Sequence, residues 1–280
     1  MKTQKTDLKG IVKNKYGEIA KQSETSCCRS GGCCSDAGYT VFSDNYISLK
    51  GYNPDADLGL GCGLPTEFAN IKEGDHVLDL GSGAGNDCFV ARSLVGETGK
   101  VTGLDFTNEM LQKAEENNAK LGYKNVKFFK GDIEEMPFHA EIIDVVISNC
   151  VLNLVPDKKK AFSEIFRVLK KRGHFCISDV VLIGKLPESI KNDMAMYAGC
   201  VSGAVQKEEY LQIIRDSGFE NVQIKKEKQI SMPDNIMLKY LSQEELNDFK
   251  TTGAGIFSIT VVAEKPSGLI SNYNYRLEEE

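Results

Sequence analysis

Residues 76–106, HVLDLGSGAGNDCFVARSLVGETGKVTGLDF, decide the fold. The apolar run Val77-Leu78-Asp79-Leu80 breaks into Gly81-Ser82-Gly83-Ala84-Gly85. A helical segment follows from Asp87 to Leu94, and a second strand pattern from Lys100 to Leu104 ends on Asp105. Strand, glycine turn, helix, strand and terminal acid in that order make one βαβ unit of a nucleotide-binding fold. A dinucleotide fingerprint would place its third glycine where Asn86 stands; here the glycines alternate directly after Asp79. Glycine lets the backbone approach a ligand closely and take dihedrals barred to other residues. A glycine triplet alone would mean no more than a tight turn, but the surrounding strand, helix and acid point to a bound cofactor. Asp105, at the end of the second strand, is placed to accept hydrogen bonds from both hydroxyls of a ribose.

Composition narrows the remainder. A chain of 280 residues with 41% hydrophobic residues has room for one sizeable α/β domain with appendages and a packed core. The formal net charge of −6 argues against a nucleic-acid partner held through its phosphates. No apolar run is long enough to span a bilayer, and Met1-Lys2-Thr3-Gln4 leads into charged sequence, so the cytoplasm is the expected location, with no membrane partner. Nine cysteines in that setting indicate thiol chemistry, not a disulfide scaffold. His76, His139 and His174 have no metal-binding spacing.

Along the chain, Asp7 to Gln22 reads as an amphipathic helix with Leu8, Ile11, Val12, Tyr16 and Ile19 on one stripe, suited to a lid. The next segment holds Cys27, Cys28, Cys33 and Cys34 around Gly31-Gly32, which fits a thiol-exchange or soft-ion loop better than structural zinc. Cys62 stands between Gly61 and Gly63, just before Leu64-Pro65; exposed, sharply turning backbone and a reactive loop thiol are expected there. Cys88 and Cys176 fall inside a helix and a strand and read as core. A helix from Thr107 to Leu121 and a strand from Asn125 to Lys130 lead to Gly131-Asp132-Ile133, followed by Glu134 and Glu135, which suit a surface turn. A continuously apolar strand, Ile142 to Ser148, ends on Asn149-Cys150. Ligands of open α/β sheets bind beyond the carboxyl ends of strands, so Cys150 belongs where an acceptor would sit. After it come a helix from Asp157 to Lys170, a strand from Gly173 to Asp179 and a helix from Pro187 to Tyr197. Cys200 then lies in a glycine-flanked turn, followed by a helix from Lys207 to Ser217. Phe219 to Glu227 and Ile256 to Glu264 can pair as the last strands.

Cys62, Cys150 and Cys200 thus border the mouth of the cofactor site from three non-regular segments. Three converging thiolates suit a soft, thiophilic centre. Trivalent arsenic fits, because it takes three sulfur ligands and keeps a nucleophilic lone pair, so no general base is needed, and none is evident.

The pattern D-x-G-x-G-x-G, Asp79 to Gly85, resembles the first motif of class I S-adenosylmethionine-dependent methyltransferases. That resemblance implies a Rossmann-like, mostly parallel seven-stranded sheet with helices on both faces, plus a small C-terminal α+β region. It also implies a cofactor site of Asp79, Gly81, Ser82, Gly83, Gly85, Asp105, Phe106, Asp132, Ile133 and Asn149. The glycines would wrap the methionine part, Asp105 the ribose, and Asp132 and Ile133 the adenine. Leu-Gly-Cys-Gly at Cys62, Ser-Asn-Cys-Val-Leu-Asn at Cys150, Tyr-Ala-Gly-Cys-Val-Ser-Gly-Ala at Cys200 and Thr-Gly-Ala-Gly-Ile-Phe-Ser at 252–258 extend the likeness. With the cysteine-rich loop ahead of them, they resemble arsenite S-adenosylmethionine methyltransferases from about Tyr16 to Pro266. In that family the positions of Cys62, Cys150 and Cys200 bind As(III), joined by one thiol of the amino-terminal loop, here Cys27, Cys28, Cys33 or Cys34. Leu60 replaces a tyrosine found in some members and Gly199 a glutamate. The longer eukaryotic extension is missing, which suggests a compact microbial form. The implied organisation is a helix and cysteine-rich lid over 1–60, a cofactor-binding core over 61–182, an arsenic-site loop with final helices and strands over 183–266, and a disordered tail over 267–280. A monomer served by glutathione or thioredoxin as thiol reductant is expected. A quinone- or sterol-type carbon methyltransferase and a thiol-based arsenic or zinc sensor are the rival readings; the first would leave the three cysteines without a task, the second the cofactor site.

Overall fold

A computed structural model of the chain describes residues 2–25, 44–185, 203–230, 234–238 and 241–268. Cys27, Cys28, Cys33, Cys34 and Cys200, the helix expected over 187–197 and the chain beyond 268 lie outside these residues.

Seven strands form one sheet: β1 (His76–Leu80), β2 (Lys100–Asp105), β3 (Val126–Lys130), β4 (Ile143–Asn149), β5 (Leu169–Ile183), β6 (Glu220–Ile230) and β7 (Gly255–Glu264). Their spatial order is β3-β2-β1-β4-β5-β7-β6, with only β7 antiparallel to its neighbours. The order reverses at β1, and a switch of this kind opens a crevice beyond the carboxyl ends of the strands. The pleat sends alternate side chains to opposite faces. Leu78 and Leu80 of β1 enter a core with Phe162, Phe175 and Tyr210, while Val77 enters a second core with Cys88, Phe89 and Cys176. Both faces are therefore covered, and for that reason apolar residues of β1 and β4 occupy positions on both faces.

Among the described residues the α-helices are α1 (Lys2–Thr25), α2 (Pro65–Phe68), α3 (Asn86–Val95), α4 (Asn108–Leu121), α5 (Lys158–Val168), α6 (Lys207–Asp216), α7 (Asp234–Met237) and α8 (Gln243–Thr251). Helix α3 opens directly from Gly85, and α4 closes on Gly122, which takes the left-handed conformation of a C-cap. Helix α8 starts on a reciprocal capping box between Ser242 and Glu245. Its run is polar, and burial of Leu246 alone gives little periodicity to read in the sequence.

The fifth strand is longer than its apolar centre suggests. Leu169 already pairs with Ile143, and after an irregularity His174 resumes opposite Val145. The preceding helix consequently stops at Val168, two residues short of the expected end. Lys265 reinforces that stop by donating its ammonium to the Phe166 and Leu169 carbonyls at 2.9 and 2.8 Å. Helix α1 is longer than expected and lies on α4, where Lys21 pairs with Glu109 at 3.2 Å. Among the described residues no helix is long and apolar enough to cross a membrane.

Candidate active site

A cleft enclosing about 910 Å³, open solvent at its mouth included, lies beyond the carboxyl ends of β1, β2 and β4. Its floor is the glycine turn. The Gly81 and Ser82 amides donate to the Leu104 carbonyl at 2.8 and 3.1 Å, which stitches the turn to β2. Gly81 has φ +69°, and Val151 fills the place its Cβ would need, 2.4 Å away. Gly83 has φ +50°, yet a Cβ there would meet only Met110, at 4.0 Å, so its bare backbone faces open cleft. Two buried polar atoms on the lining, Ser82 Oγ and Asn86 Oδ1, have no hydrogen-bond partner among the described residues. Orphaned buried polar atoms call for a partner, and a polar ligand in the cleft would supply one.

Charge adds a second requirement. Asp57, Asp79, Asp87 and Asp105 line the cleft, and among the described residues no lysine, arginine or histidine does. Burial raises the Asp79 carboxyl well above the carboxylate range, and the neighbouring Asp87 adds to it; the Cys88 thiol donates to Asp79 at 3.2 Å. Burial also lifts Asp87 to about 6, opposed by hydrogen bonds from Asn149 and Tyr46. Asp105 is raised by burial as well, and the amides of Thr107 and Gly83 oppose the rise by donating at 2.8 and 3.0 Å. The Thr107 hydroxyl and the Phe106 amide oppose it too, and Asp105 still lines the cleft, where a carboxylate suits a diol. A cationic ligand bearing a ribose would meet all these needs.

The other wall carries the thiols. Cys150 lines the cleft; it has φ +61°, a strained setting for a non-glycine residue, and its amide donates to the Ser178 carbonyl at 2.7 Å. Cys62 does not sit on an exposed loop as its glycine-rich surroundings suggest: it is 2% exposed. The same glycines explain the correction. A Cβ on Gly61 would lie 2.6 Å from Asn149 Nδ2, and one on Gly63 2.5 Å from Ser178 Oγ, so only glycines let this segment collapse onto the sheet. The Cys62 amide then donates to Asn149 Oδ1 at 3.0 Å, and Ser258 Oγ donates to the Cys62 carbonyl at 2.5 Å. Cys62 and Cys150 share an apolar cluster with Val180, Leu182, Ile230, Met237, Leu246 and Ile256. Gly203, three residues after Cys200, is pressed so closely onto the Asn153 carbonyl that a Cβ would sit 1.7 Å from its oxygen. Cys88 and Cys176 are wholly buried in the other core, as their regular surroundings suggest.

The expected adenine pair is divided. Ile133 lines the cleft, as do Gly131 and Phe106, but the Asp132 carboxylate accepts Lys9 of α1 at 2.6 Å. Glu134 is more than a surface turn: it accepts Lys9 at 2.5 Å and the Asp157 amide, at the start of α5, at 2.7 Å. Val12 and Tyr16 of α1 line the cleft, so part of the amphipathic stripe does face the site; the side chains of Leu8 and Ile11 are outside the described set. Sequence reasoning missed Tyr46, Asp57, Asn86 and Asp87. The last two directly follow the glycine turn and were within reach of it, whereas nothing local marks Tyr46.

A family model described as a methyltransferase domain matches residues 71–218. The arsenite methyltransferase of Halobacterium salinarum is 37% identical over 276 residues, covering 93% of this chain and 67% of that protein. The chain belongs to the arsenite methyltransferase family. Its strand order and single antiparallel strand are those of the class I methyltransferase fold. The human arsenite methyltransferase is 36% identical over 225 residues, and the match spans 76% of this chain but only 58% of the human one. An arsenic(III) S-adenosylmethionine methyltransferase from Chlamydomonas reinhardtii superposes with a TM-score of 0.61 at 36% identity, covering 74% of this chain and 68% of that chain.

Proposed function

We propose that the protein methylates trivalent arsenic, with S-adenosylmethionine as methyl donor and the arsenic held on cysteine thiolates, a reaction of arsenic detoxification. The observation that carries the reading is the burial of Cys62 and Cys150 together in an apolar cluster against the inner wall of an acidic, glycine-floored cleft. S-Adenosylmethionine, when bound, supplies a methyl group already activated on a sulfonium. Gly83, Ser82, Asn86 and Asp105 would hold it, and Asp79 and Asp87 would offset its positive charge. Phe106 and Ile133 offer apolar contact to a base.

Cys62, Cys150 and Cys200 would each displace one thiol or hydroxide from the arriving arsenical, leaving the arsenic lone pair clear of ligands. The contact of Gly203 with Asn153 brings the chain after Cys200 to the segment after Cys150, which supports assigning both cysteines to one site. A lone pair needs no proton removed, which agrees with a cleft whose described lining lacks a histidine or lysine. The residues supply orientation and a dry surround, and for an already activated donor those are the main contributions needed. One thiol of Cys27, Cys28, Cys33 or Cys34 would pass arsenic inward. Glutathione or thioredoxin would keep thiols and arsenic reduced in the cytoplasm, where we expect the protein to act as a monomer.

The test is methyl transfer from labelled S-adenosylmethionine to arsenite and to demethylmenaquinone in parallel, in the presence of thiol. Label in methylated arsenicals alone is expected. Label in the quinone alone would replace this reading with the carbon-methyltransferase one. Arsenite binding without any turnover would leave the sensor.

A further inference from the structure

Asn149 closes β4 and immediately precedes Cys150. Its Oδ1 accepts the Cys62 amide at 3.0 Å, and its Nδ2 donates to the Gly63 carbonyl at 2.9 Å and to the Tyr46 hydroxyl at 2.5 Å. Asp87 Oδ2 lies 3.2 Å from the same nitrogen. The Tyr46 hydroxyl in turn donates to the Asp87 carboxylate, 3.0 Å from both oxygens. Gly61 completes the contact, since no Cβ fits between it and Nδ2. One amide thus grips three consecutive residues around Cys62 from the position next to Cys150. Its anchors, Tyr46 and Asp87, both line the cleft on the acidic side.

We propose that Asn149 is a positioning residue that sets Cys62 against Cys150 and, through Tyr46 and Asp87, makes that setting respond to occupancy of the cofactor cleft. The proposal rests on the reading of the two cysteines as arsenic ligands. A cation in the cleft favours a charged Asp87, and a charged carboxylate accepts the Tyr46 and Asn149 hydrogen bonds more strongly. Coupling of this kind is reciprocal: a Cys62 loop held in place favours the cofactor by the same factor.

The experiment is peptide-resolved alkylation of the intact protein with N-ethylmaleimide, with and without saturating S-adenosylmethionine, for wild type, Asn149→Ala and Tyr46→Phe. Cys88 and Cys176, in the other core, report general loosening. Cys150, which lines the cleft, reports simple shielding by the ligand. Loss of a net hydrogen bond at Cys62 should raise its alkylation rate about tenfold in Asn149→Ala, and by less in Tyr46→Phe, with Cys88 and Cys176 unchanged. In both variants the cofactor should still protect Cys150 and no longer protect Cys62. The KM for arsenite should rise in both as well. An unchanged Cys62 rate, or Cys62 protection that survives Tyr46→Phe, would overturn the proposal. If Asn149→Ala exposes all four thiols together, Tyr46→Phe, which keeps the ring and removes one hydroxyl, decides alone. The alkylation pattern is read without arsenic, so the two failures are told apart: a wild type that fails to methylate arsenite refutes the functional reading, whereas an unaltered alkylation pattern in the variants refutes the positioning role of Asn149.

Discussion

Asp105 accepts two backbone amides while facing the cleft, so it is both a structural acceptor and the expected ribose ligand. Asp105→Ala should remove two charge-assisted hydrogen bonds to the ribose, each worth roughly 1.5–3 kcal/mol, and should also cost stability by orphaning the Gly83 and Thr107 amides. We expect a large loss of S-adenosylmethionine affinity by calorimetry with As(III) binding intact; unchanged affinity would remove Asp105 from the site. The buried thiols lead to the opposite expectation. Cys88→Ser and Cys176→Ala should lower the unfolding midpoint and leave arsenic stoichiometry as it was, because both are wholly buried in a core separate from the Cys62 cluster. Loss of As(III) binding in either folded variant would show that the two classes of cysteine had been confused. For the three cysteines proposed as arsenic ligands, the number needed depends on the substrate, since methylarsenite carries a carbon in place of one sulfur and needs only two thiolates. Cys62→Ser should therefore lose methylation of arsenite but still convert methylarsenite, whereas Cys150→Ser and Cys200→Ser should lose both. Product speciation from each arsenical checks this, and equal failure of the Cys62 variant on both would mean that all three thiols act throughout.

Among the elements, α1 is held in part by ion pairs. It reaches the body through Lys9 on Asp132 and Glu134, Lys21 on Glu109 and the apolar contact of Val12 and Tyr16 with the cleft. Partly exposed ion pairs are worth about 0–1 kcal/mol each and weaken with salt. Lys9→Ala should accordingly weaken S-adenosylmethionine binding only severalfold, and raised ionic strength should do the same to the wild type but little to the variant. A salt dependence identical in both would mean that α1 does not cover the bound cofactor. Helix α8 and strand β6, by contrast, supply Leu246 and Ile230 to the cluster that encloses Cys62 and Cys150, which gives the polar C-terminal elements a task in keeping water from the thiols.

For the whole molecule, stability should vary with pH through its buried acids. Asp179 on β5 is fully buried and pushed up to about 7 by that burial, against hydrogen bonds from the Val180 amide and the Tyr210 hydroxyl at 3.0 and 2.9 Å and the charge of Lys158. The folded protein then holds this proton more tightly than the unfolded chain, whose carboxyl titrates near 4. The favourable contribution is complete below that value, is lost as pH rises to about 7, and is flat above. Asp79, Asp87 and Asp105 are raised too and act in the same sense. Urea unfolding of the ligand-free protein between pH 4 and 8 should show falling stability, with a shallower fall in Asp179→Asn. An equal slope in that variant would mean that Asp179 is ionised throughout.

Most of the architecture and the location of the cofactor cleft could be read from residues 76–106, because a glycine turn between an apolar strand and a helix is a local arrangement, set by backbone sterics and side-chain period. The paired roles of Cys88 and Cys176 as core followed from the same local rule. Three things needed the folded chain. Whether Cys62 is exposed depended on Gly61 and Gly63 finding Asn149 and Ser178, residues distant in sequence, so a segment that looks like an open loop closes onto the sheet. The engagement of Asp132 by Lys9 rests on where α1 lies, and no local pattern states which partner a surface carboxylate takes. Tyr46 joins Asp87 to Asn149 from an irregular stretch without periodicity, and its part exists only because three distant backbones bring those groups within hydrogen-bonding distance. Local sequence settles which backbone a segment adopts; the identity of the groups that meet is settled by packing, since hydrogen bonds and burial act over a few ångströms of space, whatever the separation along the chain.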